Sequence, residues 1–141
     1  MPQSTEAVNT VAAQGGSVRR MQFTVKAGNT VYSGTNVAID ATGCAVPASD
    51  TAGLQVVGIA LNTASANESV DVQSGDWWLN LDTSEVGSMS MGNGLRKVAC
   101  VVDDHTVNLA AKTTNAISVG VAYDFDEANG LVRVAVGEGA R

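Results

Sequence analysis

The sequence predicts an all-β fold, either an antiparallel jelly roll or a barrel-like β-sandwich of about eight to ten short strands. Three observations support this prediction. Val, Ala, Thr, Ser and Gly dominate the composition, short runs alternate between apolar and polar residues, and fifteen glycines punctuate those runs. β-Branched residues suit pleated, half-buried surfaces, and glycine supplies turns. A chain of 141 residues is long enough to bury the core of one domain.

The chain also repeats part of itself at a fixed offset. Eight residues recur 62 positions later: Val57-Gly58, Ala60, Ala66-Asn67, Val70, Val72 and Gly75 return as Val119-Gly120, Ala122, Ala128-Asn129, Val132, Val134 and Gly137. A looser match upstream, at an offset of 61, relates Val37-Ala38 and Val46 to Val98-Ala99 and Val107. Internal repeats indicate one design used twice. We therefore expect a single β-domain over 18–141, with repeat units at about 30–75 and 91–137.

The individual strands follow from the alternation and from the turn residues between them. From position 18, Met21, Phe23 and Val25 fall on one face, which predicts a first strand with these side chains in the core. Glycine-containing turns such as 28–29 and 40–43 separate the segments that follow. The further predicted strands cover residues 31–32, 37–39, 44–46, 55–61, 69–72, 76–81, 97–102, 106–110, 118–124 and 131–136.

Residues 1–17 show no such alternation and end in Gln14-Gly15-Gly16-Ser17, a flexible composition. We interpret them as an N-terminal arm that is either a disordered tail or ordered by its partner, with a possible short helix over 5–14. Val8 and Val11 are the arm's candidate partner-binding residues.

The charge balance limits the classes of partner that we expect the chain to bind. Fourteen acidic and eight basic residues give a net charge of −6, and Lys and Arg do not cluster, so we expect no nucleic-acid binding. The longest apolar run is far shorter than the ~20 residues of a membrane span, and the polar N-terminus does not resemble a signal peptide. We therefore expect no membrane association, and a product that stays in the cytoplasm where it is made.

The residues that carry chemistry are few. The one histidine, His105, follows Asp103-Asp104 in what reads as a solvated hairpin turn, an unfavourable setting for the base of a catalytic triad. Cys44 and Cys100 are expected to be reduced, and with a single histidine they cannot complete a zinc site. Residues 124–130 miss the calcium-loop spacing by one position. We therefore expect no enzyme, no cofactor and no metal.

Trp77 and Trp78 give the sharper signal. Neighbouring strand residues point to opposite faces, so one indole is expected to face outward. It is either covered by the long polar loop at 83–94 or used as an anchor in a subunit contact, where Trp is enriched. Met89 and Met91 on that loop can serve either role.

The segment from 31 to 137 contains three short motifs, Ser33-Gly34-Thr35-Asn36-Val37, Val57-Gly58-Ile59-Ala60 and Val119-Gly120-Val121-Ala122. Through these motifs it resembles the capsid cement, or head decoration, proteins of tailed bacteriophages. The resemblance implies a structural protein that binds the outer capsid surface of the virion, stabilises contacts between major capsid protein subunits, and forms a homodimer or homotrimer.

Three other functions compete with this expectation. A carbohydrate- or receptor-binding head-fibre module would use an exposed Trp as a stacking platform. A hydrolase would use His105, and a tail-tube or neck subunit would form rings. Glycan binding, substrate turnover and ring formation, respectively, would distinguish them.

Overall fold

The computed structural model describes residues 3–8, 10–12 and 19–137, and within these ranges the chain forms thirteen strands and one helical turn. The strands are β1 (Val11–Ala12), β2 (Arg20–Thr24), β3 (Thr30–Val31), β4 (Asn36–Ile39), β5 (Ala45–Pro47), β6 (Gln55–Ala60), β7 (Ala64–Ser65), β8 (Ser69–Gln73), β9 (Gly75–Leu81), β10 (Val98–Asp103), β11 (Thr106–Leu109), β12 (Ser118–Asp126) and β13 (Leu131–Val136). The helical turn α1 spans Met91–Gly94, and short 3-10 turns lie at Ala110–Lys112 and Glu127–Asn129. None of the helices in the described ranges has the length and apolar character that crossing a membrane requires.

The first half of the chain closes into a five-stranded barrel. Its strand order is β2-β8-β6-β4-β5, and all four of these pairings are antiparallel. A parallel bridge between Val25 and Ala45 joins the two ends, and the Lys26 N–H donates to the Ala45 carbonyl at 2.9 Å. Beside this barrel, β3 and β7 form a two-stranded ribbon.

The second half closes in the same way. Strand β9 pairs with β13, β13 with β12, β12 with β10 and β10 with β11, and β11 returns to β9 in parallel through Thr106–Asn80 and Val107–Leu81. The Asp82 N–H then donates to the Val107 carbonyl, just as the Lys26 N–H donates to the Ala45 carbonyl in the first half. The repeat read from the sequence is therefore two copies of one barrel topology.

The strand registers correct the offset expected upstream. Val37 pairs with Gly58, and Ala99 pairs with Gly120, so Val37 corresponds to Ala99 and the offset is 62 there as well. The expected offset of 61 was wrong by one residue. The first strands of the two barrels are offset by 56 residues instead. Val25 in the first barrel and Leu81 in the second each make the parallel contact that closes the barrel. The second barrel therefore has six more residues between its first and second strands, in the loop at 83–94.

Both barrels carry a β-bulge at the same place, and this explains the repeated Val-Gly pair. The register slips between Val37 and Ala38 in one barrel and between Ala99 and Cys100 in the other, which leaves Val57 and Val119 as the extra residues. At the next position, an ideal Cβ on Gly58 would lie 2.6 Å from the Gln73 carbonyl oxygen, and one on Gly120 would lie 2.0 Å from that of Ala135. Only glycine allows these neighbouring backbones to approach.

The two barrels pack against each other through an apolar contact. The first barrel encloses one cluster of buried residues, which includes Val25, Val37, Ala45, Val57, Val70 and Val72. The intervening residues of β4, β5 and β6 point the other way, and Ala38, Val46, Val56 and Ile59 join the interior of the second barrel in a single larger cluster. Both faces of these three strands are therefore buried, and the two repeats form one domain.

The predicted all-β class is confirmed, whereas the jelly roll is not, because the strands close into two small barrels. The helix proposed within 5–14 was wrong in the described part of that segment, since Val11–Ala12 forms a strand. Met21 was also misassigned to the core, because its side chain is 37% exposed, although Val25 is fully buried and Phe23 half-buried. Both cysteines are free, and burial raises the pKa of the Cys100 thiol.

Candidate functional site

The described part of the N-terminal segment lies against the body of the protein. The Val8 N–H donates to the Ser33 carbonyl at 2.7 Å, and the Thr10 hydroxyl donates to the Gly34 carbonyl. An ideal Cβ on Gly34 would stand 1.6 Å from the Val8 carbonyl oxygen, so the segment crosses the chain where no side chain is present. Val8 is half-buried at this crossing.

The segment then reaches the tryptophan pair. Strand β1 adds to β9, with Val11 opposite Trp78 and Ala12 opposite Trp77. Trp77 is only 6% exposed, and its Nε1–H donates to the Gln73 carbonyl at 3.2 Å. Trp78 faces outward and is half-buried. The expectation of one inward and one outward indole is confirmed, and Trp77 is a core residue, which removes it from the candidate contact residues.

Trp78 belongs to the outside of the second barrel, which we call the outer face. One row of paired residues across four strands runs Asp76, Ala135, Val121 and Val98. Directly opposed residues share a face of a sheet. A second row contains Trp78, Arg133 and Asp124, and Arg133 forms an ion pair with Asp76 at 2.7 Å.

Apolar side chains are exposed on and beside the outer face. Val98 is 38% exposed and Tyr123 53% exposed. Leu95 lies next to them, because the N–H of the following residue, Arg96, donates to the Ala122 carbonyl at 2.7 Å. Leu95 is 43% exposed. This surface combines the polar side chains of Asp76, Arg133 and Asp124 with the large apolar side chains of Leu95, Val98 and Tyr123.

The two loop methionines have different surroundings. Met91, in α1, is 39% exposed and remains a candidate contact residue. Met89 is 3% exposed and belongs to the shared core cluster, which is the packing role of the two that the sequence left open. Its backbone N–H donates to the Asn108 side chain at 2.9 Å, which holds the loop against the barrel.

Asp82 begins this loop and is 4% exposed. It accepts hydrogen bonds from the Ser84 N–H at 3.0 Å and from the Asn108 side chain at 3.4 Å. Burial raises the pKa of Asp82, but the hydrogen bonds from Ser84 and Asn108 outweigh burial and hold the pKa below its usual value. The ionised carboxylate therefore fixes the path of the loop that leads to the outer face.

The positions of the first barrel that correspond to Val98 and Val121 are covered. Asn36 pairs with Ile59 as Val98 pairs with Val121, each 62 positions apart, and both Asn36 and Ile59 are 1% exposed. Ile59 packs in the core cluster shared with the second barrel. The same position in the sheet is thus an interior contact in one repeat and an open apolar surface in the other.

The turn between β10 and β11 is a second polar site. The sequence predicted a solvated turn, but Asp103 and Asp104 are 4% and 1% exposed, so that prediction was wrong. The N-terminal segment reaches this turn: the Ser4 N–H donates to both Asp104 carboxylate oxygens, at 3.1 and 3.2 Å. The His105 ring is partly exposed, at 26%.

Ser4, His105 and Asp104 do not have the geometry of a catalytic triad. Such a triad uses both ring nitrogens, one facing the nucleophile and the other facing the acid. Here the Ser4 Oγ lies 3.0 Å from His105 Nδ1, and Asp104 Oδ1 lies 2.9 Å from the same nitrogen. The ring therefore cannot relay a proton between these two groups.

Comparisons with known proteins supply no family, since neither a protein-family model nor a curated protein matches the chain.

Sequence reasoning missed Leu95, Val98 and Tyr123 as surface residues. The repeat contained a signal that could have found Val98: with the offset held at 62, Val98 aligns with the polar Asn36. A valine that replaces a buried asparagine indicates that the two positions have different neighbours.

Proposed function

We propose that this chain is a structural protein that decorates the outside of a phage head, forms a homo-oligomer through the outer face of its second barrel, and stabilises contacts between major capsid protein subunits. The observation that carries the proposal is the exposed apolar group of Leu95, Val98 and Tyr123 on and beside the outer face, where Val98 stands at the position equivalent to the buried Asn36 of the first barrel.

The first barrel supplies the argument for the occupant of this face. Ile59 is buried because another barrel of the same topology packs on it. Val121 stands at the equivalent position and is only half-buried. A second copy of the chain offers barrels of this same topology, so we assign the outer face to a contact between copies. The motif resemblance to capsid cement proteins agrees with such an assembly.

Repetition then strengthens binding to the shell. An oligomer presents several identical contacts to a lattice, and linked contacts raise avidity by ~10² to 10⁴ without any change in a single contact. A protein that binds only the assembled capsid lattice lowers the free energy of the lattice relative to that of dispersed capsid subunits. The net charge of −6 suits the outside of a shell better than its DNA-facing interior.

The test is a double variant, Val98→Ser with Tyr123→Ser, compared with Val86→Ser. Val86 is 91% exposed on the loop, so it is a matched apolar-to-polar control away from the paired strands. Light scattering should show an oligomer for the wild type and for Val86→Ser, and a monomer for the double variant. Occupancy on purified phage shells should fall at least tenfold for the double variant alone, since avidity is lost.

A monomeric wild type would contradict the self-association, and equal occupancy for all three proteins would contradict the role of the outer face. Binding of glycans by the isolated subunit, with no binding to shells, would favour the receptor-binding function instead.

A further inference from the structure

The turn that follows β10 buries two neighbouring carboxylates. Asp103 and Asp104 are both more than nine-tenths buried, and the one ionisable side chain recorded in contact with them in the described ranges is His105. Removing carboxylates from water is costly unless they are paired or coordinate a metal. One partly exposed imidazole is a weak counterpart for two buried carboxylates.

One carboxylate oxygen has no partner. Asp103 Oδ1 accepts the His105 backbone N–H at 3.0 Å, but Asp103 Oδ2 is buried without a hydrogen bond. A buried acceptor left unsatisfied costs roughly 1–3 kcal/mol, and more when it is charged. A cation bound to Asp103 through Oδ2 would satisfy this oxygen.

The potential ligand atoms are already close together. Asp103, Asp104 and His105 each place a ligand atom within 4.8 Å of the other two. His105 Nδ1 lies 2.9 Å from Asp104 Oδ1 and 3.2 Å from Asp103 Oδ1. Adjacent ligand atoms around a small octahedral cation, with bonds of about 2.1 Å, lie about 3 Å apart. The spacing thus matches a coordination shell without a large rearrangement.

We propose that Asp103, Asp104 and His105 bind a divalent cation that accepts both carboxylate oxygen and imidazole nitrogen, as Mn²⁺ and Zn²⁺ do. Carboxylates suit the harder of these cations and imidazole the softer. The Ser4 hydroxyl, 2.9 Å from Asp104 Oδ1 and 3.0 Å from His105 Nδ1, supplies a further oxygen. A cleft of about 350 Å³, lined by Gln3, Asp103 and Asp104 among others, gives the ion a route to the site.

The cation would also fasten the N-terminal segment. Ser4 is joined to the turn by its backbone and its hydroxyl, so an ion shared by Asp104 and Ser4 links residues one hundred positions apart. Binding to the folded state alone raises its stability by mass action.

The experiment uses the full, untagged chain, with Mn²⁺ as the probe because cysteine thiolates bind it poorly. Calorimetry and electron paramagnetic resonance should show one saturable site per chain. Asp103→Asn keeps the shape of the side chain and its Oδ1 acceptor, and it should weaken Mn²⁺ binding at least tenfold, as should His105→Ala. Glu85→Gln, which removes an exposed acid from the loop, should bind like the wild type.

A second measurement separates binding from folding. Mn²⁺ should raise the melting temperature of the wild type and of Glu85→Gln but not that of Asp103→Asn, whose metal-free melting temperature should equal or exceed that of the wild type because a buried charge has been removed. Absence of saturable binding would overturn the proposal, as would unchanged affinity in both Asp103→Asn and His105→Ala.

Discussion

A methyl group added at Gly120 has no space, because the Ala135 carbonyl oxygen would lie 2.0 Å from it. Gly58 meets the Gln73 carbonyl in the same way. The repeated Val-Gly pair is thus a requirement of the bulge, and the sequence displayed it without its cause. The offset of 62 could be seen in the letters, but the approach of two backbones could not, because it depends on which strand lies beside β12.

We predict that Gly120→Ala lowers the free energy of unfolding by about 3 kcal/mol, since the added carbon must displace the backbone of β13. Gly92→Ala is the matched control, because no atom lies within 4 Å of the added carbon. Its effect should stay within about 1 kcal/mol and favour the helical turn. Urea unfolding monitored by Trp fluorescence measures both, and equal stability of the two variants would contradict this account of the bulge.

Arg96 has a backbone conformation that its residue type alone does not predict. Its φ is 64°, and it corresponds to Gly34, whose φ is 87°. The two residues make the same hydrogen bond, with the N–H of Gly34 donating to Ala60 and that of Arg96 to Ala122. The repeat therefore keeps its backbone conformation even where glycine has been replaced, at a cost of roughly 1 kcal/mol.

At the scale of elements, the strands were predictable and the N-terminal segment was not. Alternation and turn residues located most strands to within a few positions, because those signals are local. Strand β1 is two residues long, and β9, with which it pairs, lies more than sixty positions away. Nothing near Val11 in the sequence indicates that pairing, and for that reason the composition suggested a detached arm.

We predict that Gly34→Ala releases this segment, because the added carbon would occupy the position of the Val8 carbonyl. Gly43→Ala is the control: its φ is 81°, close to that of Gly34, but no atom lies within 4 Å of the added carbon. Both variants should lose roughly 1 kcal/mol through backbone strain.

Hydrogen exchange distinguishes the two variants. The Val8 amide, which donates to Ser33, should exchange at the unprotected rate in Gly34→Ala and keep its protection in Gly43→Ala. Protection that survives in Gly34→Ala would show that the crossing over Gly34 is not required for docking.

At the scale of the whole molecule, the sequence predicted a doubled all-β domain but not its division into two barrels. Both faces of β4, β5 and β6 are apolar, and this was visible in runs such as Val56-Val57. Such a run fits a sandwich and a pair of packed barrels equally well. The candidate contact surface was also missed in part: Tyr123 is exposed at the register slip of β12 and Met89 is buried in the shared core cluster, and the local sequence indicates neither.

We predict that the two repeats cannot fold apart. If the chain were divided between Ser74 and Gly75, the first fragment alone would expose Ile59 and the other first-barrel residues of the shared cluster. Burial of each Val or Ile side chain contributes roughly 1.5–3 kcal/mol to the stability of the fold. Fragments 1–74 and 75–141, expressed separately, should be unfolded or aggregated, and when co-expressed they should elute together with the circular dichroism of the intact chain. A folded monomer formed by either fragment alone would contradict this prediction.

Each of the ten barrel strands has a hydrogen-bonded neighbour on both sides, because both barrels close through a parallel contact. A protein crowded at high local density on a surface is exposed to runaway edge-to-edge polymerisation, the usual hazard of β-rich subunits. Closure removes that hazard without charged or proline-rich edges. It also leaves little strand edge for β-augmentation by a binding partner, since β11 contacts β9 at Asn80 and Leu81 and β1 already pairs with β9 at Trp77 and Trp78.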